Sequence, residues 1–253
     1  FGRILDVQDF RAAGESFGPE RVWDWHRDAQ EKTVGYVSLD ATSVPQQGPH
    51  AEKAEGRMPW VGEVFNPQPT HEPIRHRRVG DARYVAGLMS LPEIREQLRR
   101  ECRAVGLGQV DVIVALSDGG NGLENALLET VAGLGSADIE FILDFHHVGD
   151  HLQEFANALF PTAEATRKEQ VEAWCHQLKH QGGRALYEEL QQRDMPNASA
   201  PARQALESLL GYLRNNLHRM DYPRYLDRGW QIGSGMIESA CKTVVCQRLK
   251  QGG

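Results

Sequence analysis

Three acidic residues at the ends of predicted elements have the chemistry of a metal site. Asp40 and Asp118 each close a predicted β-strand, and Glu238 lies on a predicted helix directly after a glycine-rich turn. Mg²⁺ prefers carboxylate and water oxygens as ligands. Two such ions about 4 Å apart can activate the attacking oxygen and stabilise the leaving oxygen of a phosphodiester. The pattern therefore predicts a site for two Mg²⁺ (or Mn²⁺) ions.

Each of these carboxylates also has a simpler interpretation. An Asp at the end of a strand often caps a turn, and Asp118 precedes two glycines. A single Glu on a helix is commonly a solvated residue. The ordered combination of Asp40, Asp118 and Glu238 favours the metal site over three independent structural roles.

The elements that must position these residues follow a β-rich, then βα, then all-helical order. Strands are predicted at 34–40, 59–65, 83–88, 110–118 and 139–144, and helices at 92–104, 122–131, 147–159, 164–180, 183–193 and 200–219. Segment 41–70 is expected to be turn-rich around one short strand. The fold class is α/β, with a mixed or parallel sheet flanked by helices. Ligands of such sheets bind at the carboxyl ends of the strands, where Asp40 and Asp118 would converge if their strands are neighbours.

Length and composition are those of a globular protein. The chain has 253 residues, 40% hydrophobic and 25% charged, which fits one large domain or two small ones. No apolar run approaches the ~20 residues of a membrane span, and no signal peptide is visible. The four cysteines form no CxxC pair, so we expect a reduced, cytoplasmic chain. Its first residue is Phe1, and we expect it to be a fragment of a longer protein.

The charge distribution decides where DNA could bind. The net charge of −7 argues against a nucleic-acid partner, but residues 212–253 carry seven Lys/Arg against three Asp/Glu. Lys242, Arg248 and Lys250 follow Glu238, so they are the DNA-contact candidates. The arginines between 95 and 103 form another basic cluster, which is either a DNA contact or a solvated face. Segment 119–211 is strongly acidic and fits packing better than DNA docking.

Two further groups of residues leave alternatives open. Asp144 and His147 could orient a metal ligand or bind a phosphate, or they could be a helix cap and a structural histidine. His147 and His151 are spaced for a shared helix face that could hold Zn²⁺, but packed or surface histidines are the simpler interpretation. Trp174 could stack on a base, although its helical spacing with apolar residues favours a core position.

Four blocks together carry a resemblance to a known family. Residues 39–44 read LDATSV, 114–120 VALSDGG, 144–147 DFHH and 229–243 GWQIGSGMIESACKT. In combination, over about residues 33–253, they resemble the ISKra-type bacterial insertion-sequence transposases, which are related to the Mutator-like DDE transposases. The block at 229–243 is the most specific of the four.

The resemblance implies an RNase H-like catalytic core of residues 33–144 plus 229–253. The core would be interrupted by an all-α insertion at 145–228 and preceded by a lead-in at 1–32. Asp40, Asp118 and Glu238 would be the first, second and third acidic ligands, and Asp144 and His147 would match an accessory Asp-x-x-His element.

The implied reaction is Mg²⁺-dependent cleavage at transposon ends, followed by attack of the freed 3′-hydroxyl on target DNA. The implied partners are transposon-end and target DNA, bound by a homo-oligomer near the bacterial nucleoid, with no membrane and no small-molecule cofactor. Two alternatives share these residues. One is an RNase H-like structure-selective DNA nuclease without strand transfer, and the other is a domesticated, non-catalytic DNA-binding protein.

Overall fold

The computed structural model describes residues 22–41, 44–47, 53–67, 81–120, 122–135, 137–196 and 198–233. The chain divides into two compact units, one of residues 1–141 with 234–253 and the other of residues 142–233. The predicted site residues Glu238, Lys242, Arg248 and Lys250 lie outside the described residues.

The first unit contains strands and two helices. Its strands are β1 (His26–Arg27), β2 (Thr33–Ala41), β3 (Val44–Gln47), β4 (Lys53–Arg57), β5 (Trp60–Asn66), β6 (Asp81–Gly87), β7 (Val112–Ser117) and β8 (Asp138–Leu143), the last of which runs on into the second unit. Its helices are α1 (Leu91–Ala104) and α2 (Leu123–Val131), with a 3₁₀ turn at Leu107–Gln109.

The main sheet is mixed, with β2 near its centre. The strand order is β6-β5-β2-β7-β8, and the short β1 also pairs with β2. Strand β5 pairs antiparallel with both of its neighbours, β2 and β6, whereas β2 and β7 are parallel. The predicted α/β class is confirmed at this level, as a mixed sheet flanked by helices.

Residues of β2 and β7 pair in a constant register. The pairs run from Val34 beside Val112 to Ser38 beside Leu116. All six residues of β7 are buried, as are the central residues of β2. Strands buried on both faces have nearly continuous apolar sequences, which is why both were recognisable from the sequence alone.

Helices α1 and α2 cover one face of the sheet. Ile94, Leu98 and Cys102 recur along α1 at four-residue spacing and are fully buried. They belong to a core that includes Leu39 of β2, Ala115 of β7 and residues of α2. At the start of α1 the Ser90 amide donates to the Glu93 carboxylate at 3.0 Å. This bond satisfies an amide that has no backbone acceptor within the first turn of the helix.

Two sequence predictions need correction. Segment 41–70 contains a second pair of strands, β3 and β4, besides β5. Their sequences, VPQQ and KAEGR, contain few β-branched or aromatic residues, so the strand signal is weak. Asp144 is not the last residue of a strand, because β8 ends at Leu143 and Asp144 is the cap of the next helix.

The second unit is helical after β8, as predicted. Its helices are α3 (Phe145–Leu159), α4 (Glu164–Gln191), α5 (Ala200–Asn216) and α6 (Tyr222–Asp227), with a 3₁₀ turn at Leu217–Arg219. Helix α4 is interrupted at Gly182, where φ is +82°. This left-handed conformation suits glycine, and it explains the predicted break there.

Trp174 belongs to the core of the helical unit. Its side chain is 1% exposed and its ring stacks on Phe155 at a centroid distance of 5.3 Å. Leu178, Leu186 and Leu190 of the same helix are also buried. A buried ring cannot stack on a DNA base unless this core opens, so the core interpretation of Trp174 is correct.

The helical unit closes on its own ends. The Tyr222 hydroxyl donates to the carbonyl of Leu143 at 2.9 Å, and the Phe145 amide donates to the carbonyl of Ile232 at 2.9 Å. The chain therefore leaves the unit beside the place where it enters. In the part of the chain that the structure describes, no helix has both the length and the apolar character needed to cross a membrane.

The packing of α1 gives a stability test. Replacing Leu98 with Ala removes a fully buried side chain that lies against Gly62 of β5. We expect the free energy of unfolding to fall by about 2–5 kcal/mol, through lost apolar burial and the cavity left behind. Chemical denaturation followed by circular dichroism measures the change.

A matched control lies on the same helix. Arg100 is exposed, so Arg100→Ala should change the unfolding free energy by no more than about 0.5 kcal/mol. Equal effects of the two substitutions would contradict the assignment of Leu98 to the core.

Candidate metal centre

Asp40 lies near the carboxyl end of β2, and Asp118 directly follows the last residue of its parallel neighbour β7. The paired register runs from Val34 beside Val112 to Ser38 beside Leu116, and two further residues along each strand direction lead to Asp40 and Asp118. Neighbouring strands are about 4.8 Å apart, and alternate residues face the same side. A register that continues by these two residues would place the two carboxylates on one face and at one end of the sheet, which the metal-site interpretation requires.

Both carboxylates are only partly exposed, and each makes a local backbone contact. One oxygen of Asp40 accepts from the Ala41 amide at 2.6 Å. One oxygen of Asp118 accepts from the Gly120 amide at 2.8 Å, which is the turn role considered from sequence. A carboxylate has two oxygens and about four acceptor sites, so these contacts leave capacity for a cation.

Two more polar side chains occupy this face, and the sequence analysis missed both. Ser38 precedes Asp40 by two residues on β2, and Glu63 of β5 lies directly opposite Ser38. Ser38 is 1% exposed and Glu63 is fully buried. The available signal was Glu63 itself, a single charged residue in the otherwise apolar strand WVGEVFN.

The burial of Glu63 changes its acid–base behaviour. Loss of solvation raises the pKa of Glu63 to about 8, and Tyr84, its neighbour on β6, opposes this shift. Burial likewise raises the pKa of Tyr84 above its usual range. The hydroxyl of Tyr84 is the hydrogen-bonding neighbour of the Glu63 carboxyl, and at least one of the two buried carboxyl oxygens has no partner among the described residues. Glu63 is therefore a neutral acid at pH 7 when no cation is near.

The donor set fits a hard divalent cation. Mg²⁺ is commonly held by one or two protein carboxylates, with water and substrate phosphate completing six oxygen ligands. Asp40 and Asp118 supply such a pair. Within the described ranges no three acidic, histidine or cysteine side chains converge on one point, so these residues alone do not form a closed protein cage.

Asp144 and His147 lie at the start of α3 in the helical unit. The Asp144 side chain accepts from the His146 amide at 2.8 Å and caps the helix, as its structural interpretation predicted. The centroids of the His147 and His151 rings are 5.7 Å apart, and those of the His151 and Tyr212 rings are 4.0 Å apart. Burial lowers the pKa of His151, which favours its neutral form.

The basic cluster on α1 is partly structural. Arg95 forms an ion pair with Glu129 of α2. Arg99 donates to the backbone carbonyls of Glu129 and Thr130 at the end of that helix, where cations interact favourably with the helix dipole. These contacts hold α1 against α2, so this pair of arginines has a packing role. The proposed DNA contacts at Lys242, Arg248 and Lys250 lie outside the described residues and stay a prediction, as does Glu238.

Comparison with protein-family models, with curated proteins and with solved structures gives no match to this chain.

Glu63 gives a pH-dependent stability test in the absence of divalent cations. The pKa of Glu63 is about 8 in the folded chain, against a reference value of 4.5 that represents the unfolded chain. Between these pH values the folded chain therefore keeps a proton that the unfolded chain has released. The contribution of Glu63 to stability must fall as pH rises from about 4.5 to 8. Glu63→Gln mimics the neutral acid and removes this dependence.

We expect Glu63→Gln and the wild type to have similar unfolding free energies at pH 4. By pH 8 the variant should be more stable by about 2–5 kcal/mol. Urea denaturation in EDTA at several pH values measures the difference. Glu189→Gln, an exposed change in the helical unit, should show no such trend. A difference that stays constant with pH would contradict the buried neutral state of Glu63.

Proposed function

We propose that the chain is the catalytic domain of a DDE transposase. It would cleave DNA at transposon ends and transfer the strands into target DNA with two Mg²⁺ or Mn²⁺ ions. The observation that carries the proposal is the parallel pairing of β2 with β7, whose register, continued by two residues, would align Asp40 with Asp118. The sequence blocks that resemble ISKra-type transposases predicted these two residues as metal ligands.

The architecture supports an RNase H-like core. The sheet is mixed, and its two proposed catalytic strands are neighbours with helices on one face. A helical unit follows β8, where the resemblance implies an insertion. The chain then returns to the start of α3 at Ile232, which belongs to the sequence block 229–243 that also contains Glu238.

The proposed roles of the residues follow from their positions. Bound divalent cations would lower the pKa of attacking water and stabilise charge on the transferred phosphate. Asp40, in the centre of the proposed site, would be a ligand for both ions. Asp118 would lie on one side of it, and Glu238 would be the third acidic ligand. No side-chain nucleophile is required, because water and then the 3′-hydroxyl of DNA attack phosphorus. Lys242, Arg248 and Lys250 would contact DNA phosphates, and Asp144 and His147 would be accessory.

Carboxylate substitutions test this proposal. Glu238→Gln and Asp118→Asn should each reduce Mg²⁺-dependent cleavage of labelled DNA from the borders of the coding gene by at least about 10³-fold, since loss of a metal ligand removes stabilisation of the transition state. Circular dichroism and thermal unfolding should show a retained fold.

Asp111→Asn is the matched control. Asp111 lies at the opposite end of the β2–β7 pair, where it accepts hydrogen bonds from the amide and hydroxyl of Thr33. This variant should keep cleavage activity when it is folded. Full activity of Glu238→Gln would refute the assignment.

The products distinguish the related alternatives. A transposase joins the cleaved end to a target plasmid, whereas a nuclease of the same fold only releases fragments. Binding of the same DNA without cleavage, in Mg²⁺ or Mn²⁺, would identify a domesticated DNA-binding protein.

A further inference from the structure

The face of the sheet that carries Asp40 has a compact polar patch. On one flank, Asp118 follows the last residue of β7, and the continued β2–β7 register would place it beside Asp40. On the other flank, β5 places Val61 beside Asp40 and Glu63 beside Ser38. Glu63 is thus a diagonal cross-strand neighbour of Asp40. Cβ atoms in that relation are about 7–8 Å apart, within reach of long side chains.

Glu63 and Ser38 have polar atoms that the described structure does not satisfy. The hydroxyl oxygen of Ser38 and at least one carboxyl oxygen of Glu63 are buried without a hydrogen-bond partner among the described residues. A buried polar group without a partner destabilises a fold, because it has lost its hydrogen bonds to water without replacement. Two such groups opposite each other, next to Asp40, indicate that a ligand satisfies them in the working protein.

We propose that Glu63 is a further metal ligand, which binds, with Asp40, the cation on the side away from Asp118, with the Ser38 hydroxyl beside it. This inference rests on the proposed function and adds a fourth carboxylate to its site. The ligand class is a hard divalent cation, because every donor in the patch is an oxygen.

In this arrangement the two ions would bind on opposite sides of Asp40. Asp40 lies between Asp118 on β7 and Glu63 on β5, so one ion can bind on each side of it. Neither pair alone surrounds a cation. Each ion would keep water and phosphate ligands, which is usual for Mg²⁺ and necessary for a site that holds DNA. Cation binding would also supply the charge that makes ionised Glu63 acceptable in a buried position.

Mn²⁺ titration of the 253-residue chain tests the inference. Mn²⁺ binding is followed by electron paramagnetic resonance at pH 7.5, with wild type, Glu63→Gln, Asp118→Asn, Asp111→Asn and Tyr84→Phe. We expect Glu63→Gln to weaken one Mn²⁺ site by about tenfold or more and to abolish the spin coupling between two bound ions. Asp118→Asn should weaken the other site.

The controls separate ligation from structure. Asp111→Asn lies at the far end of the same strands, and Tyr84→Phe removes the polar neighbour of Glu63. Asp111→Asn should leave Mn²⁺ affinity unchanged. Tyr84→Phe should weaken Mn²⁺ binding by less than Glu63→Gln does, because it removes a contact that favours ionised Glu63 but leaves the carboxylate in place. Mn²⁺ binding by Glu63→Gln within twofold of wild type, or an equal loss in Tyr84→Phe, would overturn the inference. If the wild type cleaves DNA but Glu63→Gln leaves Mn²⁺ binding unchanged, the proposed function stands and the inference about Glu63 fails. Absence of Mn²⁺ binding in the wild type would overturn both the proposed function and the inference.

Discussion

The parallel pairing of β2 with β7 is the constraint on which the site depends. Because side chains alternate along a strand, a shift of one residue would turn Asp40 away from Asp118 and bring its apolar neighbours out of the core. The observed register does the opposite. It places Leu39 and Ala115 in the core under α1 and α2, and its continuation by two residues would align both aspartates on the other face. Core packing and carboxylate alignment are thus fixed by one pairing.

That coupling explains how charged groups are held rigidly at the edge of an apolar sheet. The two strands are anchored by burial along their length, and their aspartates lie at or just beyond the carboxyl ends. Glu63 departs from this arrangement, because it lies inside an apolar strand and its charge is suppressed by burial. Natural sequences break the apolar pattern mainly at functional positions. The position of Glu63 inside an apolar strand therefore indicates a functional role independently of the two aspartates at the strand ends.

The sequence could predict those parts of the fold that have strong local patterns. Apolar strands such as β7, and the four-residue spacing of Ile94, Leu98 and Cys102 in α1, are local signals. The β3–β4 pair had no such signal, and the exact end of β8 at Leu143 depended on the capping preference of Asp144. Strand neighbourhood is a non-local property, so the sequence could predict Asp40 and Asp118 individually but only conditionally as a pair. Glu63 was missed because its place in the site appears only when β5 is known to lie beside β2 in that register.

The closure of the helical unit by Tyr222 and Phe145 has an evolutionary consequence. The segments by which the chain enters and leaves the helical unit are hydrogen-bonded to each other. The helices between them therefore form a cassette with adjacent ends. Segments with adjacent ends can be lengthened, shortened or exchanged with little effect on the host domain. Selection can therefore alter the size and surface of this cassette independently, while the register of β2 and β7 is preserved.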